Sequence, residues 1–122
     1  MIITSLSVIL HFLLTHSRHS DDLKPFEWEL FVIQFQKELN EAQNLTVKST
    51  EITFINNEGK LVSVQYYPNM IRRQVNGTGH ELFLLKVKTI EFNQVSSGIR
   101  LTLISKAGKN YHHTFRFMKD RT

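Results

Sequence analysis

The residues best able to do chemistry in this chain are its histidines, carboxylates and paired arginines, and their spacing limits what they can do. His80 and Glu81 are adjacent, as a general base and its orienting acid could be. In a strand, however, neighbouring side chains point to opposite faces. The same alternation separates His112 from His113 and denies them a shared metal. His113 alternates with Tyr111 and Phe115, which reads as a partly buried, hydrogen-bonded ring. His16 and His19 stand at helical i, i+3 spacing, but two ligands without a third do not make a zinc site. Asn76-Gly77-Thr78-Gly79 has the glycines of a phosphate loop without the Gly-Lys-Ser/Thr that would complete it. There is no Gly-x-Ser-x-Gly elbow. Cysteine is absent, which excludes disulfides and thiolate metal sites. The strand-rich half offers only Glu81, Glu91 and Asp120 as carboxylates, too few for paired acid–base work. The expectation is a non-enzyme with no cofactor, no metal and no small-molecule substrate.

The basic residues carry more information. Residues 1–58 hold four Lys+Arg against eight Asp+Glu, a net charge of −4. Residues 59–122 hold eleven against three, a net charge of +8, and together the halves give the chain's +4. An acidic half beside a basic half implies internal complementarity and leaves positive charge for a polyanion. By alternation, Ile71, Arg73 and Val75 share the core side of a strand, so a semi-buried Arg73 needs a partner. Glu38 or Glu41 is the natural candidate for that structural ion pair. Arg72 then lies on the other face. On the last hairpin Arg100, Thr102, His112, Thr114 and Arg116 also point away from the core. They form either an ordinary solvated face or, through Arg72, Arg100 and Arg116, a phosphate-contacting strip on duplex DNA.

These side chains must be positioned by one helix and a set of strands. The segment from Pro25 to Asn44 is the only long stretch with helical periodicity. At about 100° per residue, Trp28, Phe31, Val32, Phe35, Leu39 and Ala42 fall on one face. Phe26, Leu30 and Ile33 cluster on the opposite side, where a single-domain helix should be polar. A second apolar face implies either cover from the chain's own loop or N-terminus, or partner-binding to another protein. Asp22 is placed to cap this helix. Residues 1–14, MIITSLSVILHFLL, are apolar but would span only about 21 Å as a helix, short of a bilayer's hydrocarbon core. They read as a buried helix, a peripheral anchor or, the favoured reading, the remainder of a membrane segment. His16, Arg18, His19, Asp21 and Asp22 would form its water-exposed collar. Beyond Asn44, strands alternate over Glu51–Asn56, Lys60–Tyr66, Met70–Val75, His80–Leu85, Lys86–Val95, Ile99–Ser105 and Tyr111–Phe117. Turns at Asn56-Asn57-Glu58-Gly59, Tyr67-Pro68-Asn69 and Asn76-Gly77 join them. Short connections predict an antiparallel meander, and one helix covering one face of that sheet predicts an α+β fold. The chain accordingly divides into a hydrophobic segment at 1–20 and a globular domain at 21–122.

The run Met70-Ile71-Arg72-Arg73-Gln74-Val75-Asn76-Gly77-Thr78-Gly79-His80-Glu81, with Leu84 and Val87 after it, resembles the ComGF family of competence pseudopilins. Glu27-Trp28 and Gly98-x-x-Leu101 fit the same pattern, and the resemblance covers roughly residues 20–117. It implies a minor, type IV pilin-like subunit of the competence pilus with which transformable Gram-positive bacteria take up DNA. It further implies a long N-terminal helix packed on a sheet, other competence pilins as partners, and a single-pass place in the cell membrane with the globular domain on the outer surface. Filament packing would then account for the ridge of Phe26, Leu30 and Ile33. The Gly-Phe-Thr-Leu-x-Glu-type processing site of pilins is not in this sequence, so the expectation is that Met1 is an internal start. A stand-alone basic nucleic-acid-binding module is the alternative reading.

Overall fold

The computed structural model describes residues 22–117. They form one helix, α1 (Pro25–Asn40), followed by eight strands. The strands are β1 (Gln43–Val47), β2 (Glu51–Ile55), β3 (Leu61–Tyr67), β4 (Met70–Val75), β5 (Thr78–Leu85), β6 (Val87–Val95), β7 (Gly98–Ser105) and β8 (Asn110–Arg116). Every consecutive pair within a sheet is antiparallel, in a five-stranded sheet β1-β2-β3-β4-β5 and a three-stranded sheet β6-β7-β8.

This corrects the expected α+β, pilin-like layout. A long N-terminal helix on a single meander sheet is not what the described residues form; they are mostly β, with one helix of 16 residues. The helix starts at Pro25, as its periodicity suggests, and ends earlier, at Asn40. Pro25 takes the first helical position, where its missing N–H costs nothing. Lys24 N–H donates to the buried Glu27 carboxylate at 2.8 Å, tying down the first turn. Asp22 does not cap the helix; its carboxylate accepts from Ala107 N–H at 3.1 Å, in the β7–β8 turn. After Asn40 the chain turns and Leu45 and Val47 alternate in β1, half-buried against the core. The break into two sheets falls at Lys86, between β5 and β6, where the backbone takes φ 63°.

The two sheets are laced together along β6. Phe92 N–H donates to Ser49 C=O at 2.8 Å, Val87 N–H to Asn69 C=O at 3.2 Å, and Tyr66 Oη to Lys88 C=O at 2.8 Å. The core lies under α1 and is aromatic. Phe31 and Phe35 each meet Phe83 of β5 and Phe115 of β8, and Phe35 also meets Phe92 of β6. A bulge in β5 makes this possible. Ile71 pairs with Leu84 and Arg72 with Leu82, so Phe83 is the extra residue, and both Phe83 and Leu84 turn inward.

Residues 1–20, the expected membrane segment, lie outside the described residues. The expected single-pass membrane placement is therefore corrected: no helix among the described residues is long and apolar enough to cross a membrane.

Candidate functional site

The outer face of α1 is the strongest surface feature. Its inner stripe is fully used: Trp28, Phe31, Phe35 and Leu39 are buried. On the opposite side Phe26 remains 47% exposed and Ile33 59%, with Leu30 half-buried between them. These three lie within about 60° of helical rotation, so they form one ridge. About half of Phe26 and of Ile33 stays uncovered in the folded chain.

Behind the helix lies a buried charge cluster. Arg73 of β4 sits on the helix side, as alternation requires, with its Nε 2.9 Å from the Glu38 carboxylate. Its Nη1 is 3.1 Å from Glu81 of β5. Glu38 and Arg73 are almost fully sequestered, at 6% and 12% side-chain exposure, while Glu81 reaches solvent. Burial pushes the Glu38 carboxyl up from its ordinary value, and the Arg73 charge only partly opposes this. Glu41 is exposed and makes no ion pair with Arg73; it closes the helix, its N–H donating to Glu38 C=O at 3.1 Å. Glu81 as the second partner was not readable from the Asn76-Gly77 hairpin: counting outward from that turn sets His80 opposite Arg73, and a register shift between Arg73 and Val75 brings Glu81 there instead.

The three arginines proposed for DNA lie on two different sheets. Arg72 lies on the five-stranded sheet, its guanidinium carbon 3.9 Å from the centre of the Tyr67 ring. Its Nε donates to Gln65 at 2.8 Å, and its Nη1 is 3.3 Å from His80 Nδ1. Arg100 and Arg116 lie on the outer face of the three-stranded sheet. Arg100 reaches Thr114 Oγ1 and His112 Nδ1, each at 3.4 Å, and Arg116 donates to Ser97 at 3.3 Å. The histidines are likewise placed apart. His80 meets the edge of Tyr67, while His113 packs on Phe115 with ring centres 4.7 Å apart. Burial lowers the His113 pKa, against the opposing pull of Glu29.

One feature of the last hairpin had no signal as a site. Gly98 passes so close to β8 that a Cβ there would stand 1.9 Å from the Phe115 carbonyl oxygen. Its place in the Gly98-x-x-Leu101 pattern was legible, but the close approach was not.

Set beside known proteins, residues 12–111 match the family model described as "Putative Competence protein ComGF". The chain belongs to the ComGF family. It is also 27% identical over 115 residues to the Competence protein ComGF of Bacillus subtilis (strain 168), a match spanning 91% of this chain and 89% of that protein. No solved structure matches. ComGF membership implies a role in the competence system, and the Arg72–Glu81 run that carries the resemblance is the β4–β5 hairpin. In this ComGF chain the hairpin's core-side arginine is committed to the helix.

Proposed function

We propose that this chain is a structural subunit of the competence machinery, a minor pseudopilin that binds other competence pilins and carries out no catalysis. The observation that carries this reading is the Phe26–Leu30–Ile33 ridge. Burying what remains exposed of the two side chains would contribute roughly 1–1.5 kcal/mol each. In a helix whose other face is already packed, that gain is available only through an added surface. The histidines support a non-catalytic role, since His80 is engaged by Arg72 and Tyr67, and His113 by Phe115. Direct DNA contact is the weaker half of the proposal, because Arg72 is on a different sheet from Arg100 and Arg116.

The test is to replace Phe26 or Ile33 with Asp in the full chain and to ask for co-purification with the other competence pilins. Both residues are exposed, so the melting temperature should stay within a few degrees of the parent. Association should be lost in both variants, and Leu30→Asp should lose it as well with some cost in stability. Undiminished association of folded Phe26→Asp and Ile33→Asp proteins would refute the proposal.

A further inference from the structure

We infer that the open edge of β8 and the neighbouring ridge of α1 form one docking site, which takes an extended segment of a partner protein by β-strand addition. The inference rests on the partner-binding reading above and supplies the form the partner's segment must have.

The edge follows from the hydrogen-bond phase of the last hairpin. Phe117 N–H donates to Ser97 C=O and Ser105 N–H to Lys109 C=O, so odd-numbered residues of β8 bond to β7. The N–H and C=O groups of Asn110, His112 and Thr114 therefore point outward. Arg116 C=O obeys the same phase, and it accepts a hydrogen bond from Gln36 of the helix at 2.9 Å. No group among the described residues pairs with the outward backbone of His112 or Thr114. Proteins usually blunt such an edge with a bulge, a proline or a lysine. β8 has none of these: its register with β7 runs unbroken from Asn110 to Arg116, and its sequence is NYHHTFR. By contrast, β1 and β5 are bulged, and the outer edge of β6 is closed by Ser49, Asn69 and Tyr66.

The apolar component lies beside this edge. Trp28 meets Tyr111 at the start of β8 and Gln36 reaches Arg116 at its end, so the helix and strand run alongside each other. Ile33 is one helical turn from both Glu29 and Gln36, on the flank that overhangs the edge. A strand added to β8 would lay alternate side chains toward the Glu29–Gln36 flank of α1, next to Ile33. Its intervening side chains would join the outer face of the small sheet, beside His112, Arg116 and Arg100. Charge complementarity across neighbouring strands then calls for acidic residues at those positions. The occupant is thus an extended partner segment alternating apolar and acidic residues.

The probe is a blocked peptide alternating valine and glutamate, about eight residues long to match a strand of this length. Added to the full chain, it should slow hydrogen exchange of the His112 and Thr114 amides. Thr114→Pro removes an outward N–H and no bond to β7, so the chain should fold and bind the peptide about tenfold or more weakly. Thr114→Ala keeps the N–H and should bind as the parent does. Absence of binding, protection at β1 or β5 instead, or equal binding by a peptide N-methylated at alternate residues would each overturn the inference. The two readings separate cleanly. If Ile33→Asp loses the competence pilins while Thr114→Pro keeps them, the edge is wrong and the ridge stands. If the peptide adds to the edge but the ridge variants keep those pilins, the edge stands and the assembly role of the ridge is wrong.

Discussion

Arg73 illustrates how a single residue ties sequence pattern to energetics. Its guanidinium is sequestered between Glu38 and Glu81, and the two carboxylates differ in what they contribute. Glu38 is buried and pairs with no other cation among the described residues, so removing the arginine strands a charge in a poorly solvated site. Arg73→Met should destabilise the fold at neutral pH by about 3 kcal/mol, the scale for breaking a buried pair from one side. Glu81→Gln should cost under about 1 kcal/mol, because that carboxylate reaches water. The pH dependence has a definite sign. Burial raises the Glu38 pKa in the folded chain, so the folded state holds its proton more tightly than the unfolded state. That stabilising contribution is complete below the ordinary glutamate value and is lost as pH rises through the raised one. Without Arg73 the carboxyl loses its main downward influence and rises further. Denaturant titrations should therefore find the gap between Arg73→Met and parent narrowing as pH falls toward 4.5. A gap that stays constant or widens would mean the pair is not what holds Glu38 in place.

At the scale of elements, the sharpest constraint is the approach of β7 to β8 at Gly98. A methyl group there would collide with backbone, not with a side chain that could swing away. Gly98→Ala should cost about 3 kcal/mol, at the upper end of overpacking, and should loosen the last hairpin first in hydrogen exchange. Gly59→Ala makes the contrast: open space surrounds it, and the cost is the 1–2 kcal/mol or so of a side chain forced to φ +78°. Comparable losses at the two positions would show that β7 and β8 can separate slightly without harm. The strands themselves were legible, because alternation at Ile52/Phe54, Val62/Val64 and Leu101/Leu103 marks one buried face each, and all six are buried. Three things were not. The helical period runs on to Asn44 because Ala42 continues the apolar stripe, although Leu45 and Val47 already alternate as a strand. The bulge at Phe83 breaks the alternation from which inward residues are counted. The sheet changes at Lys86, whose positive φ has no counterpart in residue type, since lysine does not favour the left-handed region as glycine and asparagine do. Alternation reveals which strands are consecutive neighbours; it does not reveal where a meander leaves one sheet for another. For the candidate site, the apolar ridge on α1 was visible in the helical period. The open edge of β8 was not, because edge status is a property of the assembled sheets.

For the molecule as a whole, α1 is the bridge between two sheets, and that makes its two faces energetically unequal. Phe35 is fully buried and lies edge-on to Phe83 of the large sheet and to Phe92 and Phe115 of the small one. Replacing it with alanine removes a ring that both sheets pack against, and the cavity opens at their junction. Phe35→Ala should lose about 4 kcal/mol, within the range for large core deletions. Because the same ring serves both sheets, the loss should appear as one cooperative transition shifted to lower denaturant, with the amides of β3 and β7 losing protection together. Phe26→Ala, on the outer ridge of the same helix, removes a ring that is half in water and should change stability by no more than about 0.5 kcal/mol. Equilibrium denaturation of the two variants beside the parent decides the matter. A second transition in Phe35→Ala would mean that the sheets are stable apart and that their lacing along β6 is weak. An equal loss in Phe26→Ala would mean that its ring is already covered in the folded chain. In that case the ridge would have no apolar surface left to offer a partner.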